Sequence, residues 1–308
     1  LLDFGKRFRR LLRDWKFDIV HSHVHHFSGY TLGLAAQEGI KGRIAHSHSD
    51  LRSVESGLLR RGYLRLMKKL IARYATAGLA CSAEAALALY GESWQSDPRW
   101  EILYCGIDLR PFEQEIDREN VRSEFGFLPE NRVWGHVGSF REVKNHRFLL
   151  EVFAKAFQSE PNLRLLLIGD GPLRAEMELR ARELGIVDAV VFAGARDDVP
   201  RLMLGTIDLF ILPSLYEGLP LVLLEAQAAG LPCVISDVVA SEADVIEGRI
   251  TRLSLESDVH HWAQICTAKG KQERLAGAVD EIRDGPFNVV QSAESLLNLY
   301  SCVPEVVH

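Results

Sequence analysis

Two carboxylates, Glu217 and Glu225, stand eight residues apart in the run Glu217-Gly218-Leu219-Pro220-Leu221-Val222-Leu223-Leu224-Glu225. An apolar, strand-like segment, Leu209-Phe210-Ile211-Leu212, precedes them. Gly218 permits close backbone approach of a ligand, and Pro220 suits the first turn of a helix. Glu217 is therefore expected beyond the carboxyl end of a strand, where ligands of open α/β sheets bind. Glu225 is expected two helical turns further along the same face. The helix N-terminus between them offers free N–H groups to phosphate. Carboxylates that accept from sugar hydroxyls beside a phosphate site describe a pocket for a sugar carried on a nucleotide. Taken alone, the pair also reads as helix-terminal charge at Glu217 and a surface carboxylate at Glu225.

The run Val137-Gly138-Ser139-Phe140-Arg141-Glu142-Val143-Lys144-Asn145-His146 reads as strand, glycine loop and helix. Gly138 opens the backbone to a diphosphate, and Lys144 adds a point charge. Ile168-Gly169-Asp170-Gly171-Pro172-Leu173 is a second strand–glycine–helix turn, which reads equally as a tight connection. Histidines cluster in His21-Ser22-His23-Val24-His25-His26 and in His46-Ser47-His48. Strand alternation assigns His21, His23 and His25 to one face. No acidic or cysteine ligand falls at metal spacing beside them, and the chain has no Asp-x-Asp motif. No metal site is expected.

The elements that must hold these residues are short apolar runs alternating with helical stretches. The runs are Phe17–Val20, Arg43–Ala45, Ala77–Cys81 and Ile102–Tyr104, then Arg132–Val137, Leu163–Ile168, Val190–Phe192, Leu209–Leu212 and Cys233–Ile235. Continuous apolar strands between helices imply an α/β fold with parallel sheets covered on both faces. The two series meet at Gly106-Ile107-Asp108-Leu109-Arg110-Pro111. This predicts an N-terminal Rossmann-like lobe over 1–110, a C-terminal nucleotide-sugar-binding lobe over 111–285, and a C-terminal helical segment, 286–308, that packs back on the first lobe. The first lobe opens on a basic helix rather than on a strand and tight loop. At roughly 30 residues per βα unit, it is expected to lack its first two or three units.

Residues 1–75 hold 15 Lys and Arg against 6 Asp and Glu, a net of +9, whereas the remainder carries −15. Within the basic part, the stretch Arg52 to Arg73 includes Arg60, Arg61, Arg65, Lys68 and Lys69, with Glu55 as its only acid, among Leu58, Leu59, Leu64, Leu66 and Met67. Such a basic amphipathic stretch suits an anionic membrane surface or is an ordinary helix with a solvated face. No nucleic-acid recognition motif accompanies it. Five scattered cysteines without a C-x-x-C pair suit a reducing cytosol, and no apolar run reaches the ~18 residues of a membrane span.

Together, Pro213-Ser214-Leu215-Tyr216-Glu217-Gly218-Leu219-Pro220, Glu225-Ala226-Gln227-Ala228-Ala229-Gly230-Leu231-Pro232 and the glycine loop with Lys144 resemble the retaining GT-B glycosyltransferases of family 4. Within that "group 1" set they are similar to the EpsF-like exopolysaccharide and capsule branch. The resemblance implies two Rossmann-like lobes, with the donor nucleotide-sugar in the second and a polyprenyl-diphosphate-linked or saccharide acceptor on the first. It implies no cofactor and no required metal; the cysteines and the basic stretch together suggest a cytoplasmic enzyme, peripheral on the inner face of the plasma membrane. By position, Glu217 holds the donor sugar and Glu225 the ribose, while Gly138 and Lys144 hold the diphosphate. Gly218, Leu219 and Pro220 approach the sugar and phosphates, Gly171 belongs to the same mouth, and Gly194 and Arg196 border the base. Family members carry Arg directly after the glycine matching Gly138. Here Ser139 stands there, and Arg141 is the candidate replacement. His23, rather than His21, matches the histidine that faces the reaction centre, and His48 matches a second cleft position. A sugar-nucleotide epimerase of the same fold and a non-catalytic nucleotide-sugar-binding module are the competing readings. A dehydrogenase is disfavoured because no G-x-G-x-x-G opens a βα unit.

Overall fold

The computed structural model describes residues 2–48 and 57–302. They divide into two compact units, one running to Gly106 and resuming at Val289, the other spanning Ile107–Asn288. Arg52 and Glu55 of the basic stretch lie outside the described residues.

The first unit runs α1 (Leu2–Trp15), β1 (Ile19–Ser22), α2 (Ser28–Gln37), β2 (Gly42–Ser47), α3 (Leu58–Tyr74), β3 (Ala77–Ala80), α4 (Ala83–Tyr90) and β4 (Trp100–Ile102). Its four strands pair in chain order, β1-β2-β3-β4, all parallel. Leu32, Ala45, Ile71, Leu89 and Trp100 form its main core. Tyr90 stacks on Trp100 at 4.5 Å and donates its hydroxyl to the carbonyls of Ala45 and Leu79 at 2.7 Å, so one side chain ties the helix layer to two strands.

The second unit runs α5 (Arg118–Ser123), β5 (Arg132–Val137), α6 (His146–Phe157), β6 (Leu163–Ile168), α7 (Arg174–Glu183), β7 (Val190–Gly194), α8 (Val199–Gly205), β8 (Leu209–Leu212), α9 (Leu221–Ala228), β9 (Cys233–Ser236), β10 (Ile250–Leu253), α10 (Val259–Lys269) and α11 (Ala278–Arg283). The strands lie in the order β10-β9-β8-β5-β6-β7, all parallel. Strands β5 to β7 proceed one way and β8 to β10 the other, so β5 and β8 flank the reversal of strand order where a crevice opens in sheets of this kind. Trp134, Phe153 and Trp262 anchor a core without solvent exposure. At the amino ends of the strands, Asp208 binds Arg118, Arg122 and the amide of Val133, so the charges there are spent on the fold. The last helix, α12 (Val289–Ser301), belongs to the first unit. Its Ser292 donates to the carbonyl of Tyr104 at 3.0 Å. No helix among the described residues is long and apolar enough to cross a membrane.

Two local expectations are corrected. α9 begins at Leu221, with Pro220 as its cap. Glu217 therefore sits in the preceding loop and does not share a helix face with Glu225. In the first unit β1 ends at Ser22, and the chain turns through a short 3-10 segment, His25–Phe27, with His25 at φ +50°. His25 thus leaves the strand alternation and meets His26 instead.

Candidate active site

The loops that leave β5 and β8 bring a cation and a carboxylate together at the reversal of strand order. Lys144 Nζ pairs with Glu217 Oε1. Ser214, fully buried, donates its hydroxyl to the same oxygen at 2.8 Å. The two ionic side chains keep only 17% and 13% of their exposure. The loops are also stitched through backbone, with Leu215 N donating to Val143 O at 2.8 Å, and Ser236 Oγ to Ser214 O at 2.7 Å. Ser214 was not singled out from sequence; its signal was the three-residue spacing to Glu217.

The neighbouring loops are braced in turn. Gly138 N donates to Ile168 O, Gly169 N to Gly194 O, and Phe140 N to Asp170 O, at 2.8–3.0 Å. A Cβ on Gly171 would fall 2.7 Å from the backbone N and O of Phe140, so loop packing itself demands glycine there. Gly218 is the opposite case. It is exposed, its φ is ordinary, and a Cβ would meet nothing within 4 Å.

Glu225, on α9, is partly buried, and burial pushes its carboxyl above the usual range. It takes no hydrogen bond or ion pair among the described residues. A desolvated carboxylate without a protein partner is costly, and ligand hydroxyls would relieve that cost.

The comparisons with known proteins show the family. Residues 117–282 match the family described as "Glycosyl transferases group 1", and residues 1–110 match "Glycosyltransferase Family 4". The putative glycosyltransferase EpsF of Bacillus subtilis (strain 168) is 35% identical, over all of this chain and 81% of its own length. The chain belongs to glycosyltransferase family 4. This family 4 transferase is a hexosyltransferase that takes its sugar from a nucleotide-sugar. An Escherichia coli UDP-Gal:alpha-D-GlcNAc-diphosphoundecaprenol alpha-1,3-galactosyltransferase is 25% identical, over 94% of this chain and 77% of its own. Among solved structures, Anabaena Alr3699/HepE in complex with UDP superposes with a TM-score of 0.78 at 20% identity, over 96% of this chain and 81% of that one. At that identity it speaks to the GT-B fold.

Around the Lys144–Glu217 pair, the transferase carries two histidines that sequence reasoning passed over. His136, on β5, is fully buried; its Nδ1 meets Ile211 O at 2.8 Å, and its Nε2 has no partner. Burial, then the charge of Lys144, depress it to about 4, against the opposing bond to Ile211 O. His146, at the start of α6, stacks on Phe140 at 4.1 Å and is depressed to about 2 by burial, then by His136 and Lys144. Both are neutral rings behind the glycine loop, so the cations of that loop are Lys144 and Arg141.

Ser139 and Arg141 are exposed, and the Arg141 guanidinium has no ion pair among the described residues. It borders a cavity of about 630 Å³ with Glu142, His146, Pro172 and Met177, which neither Glu217 nor Glu225 lines. Leu219 and Pro220 complete the loop before α9. Gly194 closes β7, and the Arg196 fork is engaged by Asp198 through two bonds of 2.8 Å.

In the first unit, His23 and His48 are brought together, Nδ1 to Nε2 at 2.7 Å. His21 Nε2 meets His46 Nδ1 at 3.2 Å, and its Nδ1 meets the Tyr300 hydroxyl at 2.6 Å. Burial, then neighbouring histidines, lower His21 to about 4 and His46 to about 3. Burial lowers His23 and His48 as well.

Proposed function

We propose that this transferase binds a UDP-hexose in its second unit and passes the sugar, with retention, to a diphosphate-linked lipid or saccharide acceptor in cell-surface polysaccharide synthesis. The observation that carries the donor site is the pair Lys144–Glu217 at the reversal of strand order, followed on α9 by the partnerless Glu225. A sugar hydroxyl donates to Glu217, ribose hydroxyls donate to Glu225, and the diphosphate draws Lys144 away from Glu217. The amides at the start of α9 complete the phosphate contacts. As the glycosidic bond breaks, charge grows on the leaving diphosphate, where a positioned cation is worth most. Among the described residues no carboxylate of the first unit is an evident nucleophile, which favours front-face departure, with the diphosphate taking the acceptor proton. From the first unit we assign His23 to the reaction. Lysine and amides meet the phosphates, so activity is expected to survive EDTA.

Isothermal titration tests the donor assignment. Glu225→Ala should weaken UDP binding by roughly 10- to 100-fold, the worth of a charge-assisted hydrogen bond. Glu217→Ala should leave UDP binding unchanged or tighter, because Lys144 is released, while weakening UDP-hexose. The reverse ranking on UDP would overturn the assignment.

The acceptor half draws on the E. coli relative, whose name carries a diphosphoundecaprenol acceptor, and on α3. That helix exposes Leu58 (81%), Leu59 (93%), Tyr63 and Leu66 among the exposed Arg60, Arg61, Arg65 and Lys69, while Met67 and Ile71 are buried. Lys68, which the sequence alone would place in the docking set with Arg60, Arg61 and Lys69, is half-buried beside His26, so the proposed set is Arg60, Arg61, Arg65 and Lys69. We assign this face to the anionic inner surface of the plasma membrane, at about 1 kcal/mol per basic residue. Co-sedimentation with anionic but not neutral vesicles, lost in high salt and in the fourfold Glu variant, is expected. Equal binding to both vesicle types would refute it.

A further inference from the structure

The two His-Ser-His tripeptides end neighbouring parallel strands. β1 and β2 pair in register, with His21 opposite Ile44 and Ser22 opposite Ala45, so residues two apart on each strand share one face. Ser22 turns the other way, into a buried bond with Ser28. The four imidazoles therefore converge, with ring centroids 4.2 Å apart for His21 and His23, 5.0 Å for His23 and His46, and 4.1 Å for His46 and His48. One ring nitrogen from each of His21, His23 and His46 lies within 4.8 Å of the other two. Strand alternation grouped His21 and His23 with His25, but the third nitrogen comes from His46 on the neighbouring strand, a partner that spacing within one strand does not reveal.

We propose that His21, His23 and His46 form a binding site for a divalent transition metal, Zn²⁺ foremost, with His48 at its rim. A zinc ion with bonds of about 2.0–2.1 Å holds tetrahedral nitrogens about 3.3 Å apart. The 3.2 Å between His21 Nε2 and His46 Nδ1 already has that spacing, and His23, exposed, closes the rest by side-chain rotation. An all-imidazole set suits zinc, copper and nickel. The outer contact is in place too. Ligating histidines donate their second N–H to an oxygen, and His21 Nδ1 faces the Tyr300 hydroxyl at 2.6 Å. The rings remain neutral at pH 7, which is the ligating form, and the exposed edge gives the ion an entry path. Bound metal would occupy His23, so its consequence for transfer is inhibition. The binding itself is independent of the role proposed for His23; only the inhibition rests on it.

The test uses the metal-stripped chain with Co²⁺ as a spectroscopic probe and Zn²⁺ as competitor. One equivalent of Co²⁺ should bind with the visible absorption of a four-coordinate ion and be displaced by Zn²⁺. His23→Ala and His46→Ala should each weaken binding at least tenfold, and Tyr300→Phe by roughly tenfold. His260→Ala and His261→Ala, exposed on α10, should change nothing. Circular dichroism separates lost ligation from lost folding in His46→Ala, and His23→Ala, on the exposed side, carries the conclusion if that variant unfolds. Absence of one-equivalent binding, or weakening as large in the α10 variants as in the cluster, overturns the site. Zn²⁺ binding without EDTA-reversible inhibition would uphold the site and overturn its consequence for transfer.

Discussion

At the carboxyl ends of its strands the second unit holds a lysine against a carboxylate, whereas the first gathers four imidazoles with no carboxylate bonded to them among the described residues. In the second unit, Lys144 and Glu217 offset one another inside a nearly closed environment, and Ser214 fixes the carboxylate oxygen they share. Charge is present there before any ligand arrives, and the proposed diphosphate would redirect it. In the first unit, burial and mutual repulsion keep the rings uncharged, so what they offer is lone pairs. The same sheet geometry thus places a charged pair, proposed to answer to an anion, in one unit and a set of neutral rings, proposed to answer to a cation, in the other.

Acid should have the largest effect, and it should act on both units. His46 and His136 are buried and have folded pKa values of about 3 and 4, against an ordinary 6.5. Their stabilising contribution is complete above pH 6.5. Below it the unfolded chain takes up protons first, so each costs up to about 1.4 kcal/mol per pH unit until its folded value is reached. Urea unfolding at stepped pH should show a midpoint falling between pH 6.5 and 4.5, and His46→Gln should flatten part of the slope. A flat profile would mean that the fold keeps neither His46 in the first unit nor His136 in the second neutral.

The lysine–carboxylate pair should respond as a unit. Lys144→Met or Glu217→Gln alone is expected to cost about 2–3 kcal/mol, because the partner is left nearly buried and unpaired. The double variant should cost clearly less than the sum, as a double-mutant cycle in urea would measure. Additive costs would show two independent surface charges. Next in size, Gly171→Ala should cost about 1–3 kcal/mol through its collision with Phe140, read as a lower Tm. The smallest effect sharpens the contrast between glycines of one site. Gly218→Ala should change stability by less than about 0.5 kcal/mol yet weaken UDP-hexose binding in titration; a large Tm loss there would assign Gly218 to the fold instead.

The parallel α/β architecture was legible because buried strands such as Leu163–Ile168 and Leu209–Leu212 are short, continuous and apolar, and helices separate them. What local pattern missed depended on where the chain turns. Glu217 was expected on the helix face of Glu225, but Pro220 caps α9 and leaves Glu217 in the loop. His25 kept the strand period in sequence and lost it in space, because the backbone reverses at φ +50°. His136 and His146 went unmarked for another reason: their environments come from β8, β5 and the glycine loop at once, and no single stretch displays that convergence.

The cross-bracing of the three turns after β5, β6 and β7 has a consequence for anyone who would rebuild this enzyme. With Gly138 tied to Ile168, Gly169 to Gly194, and Phe140 to Asp170, an insertion in one turn displaces its neighbours, so donor preference is poorly altered by grafting any one of them. The three behave as a single cassette, to be transplanted whole or left alone. In the loop after β8, Gly218 is the contrasting case: exposed and sterically open, it is a position where a side chain can be introduced without collision.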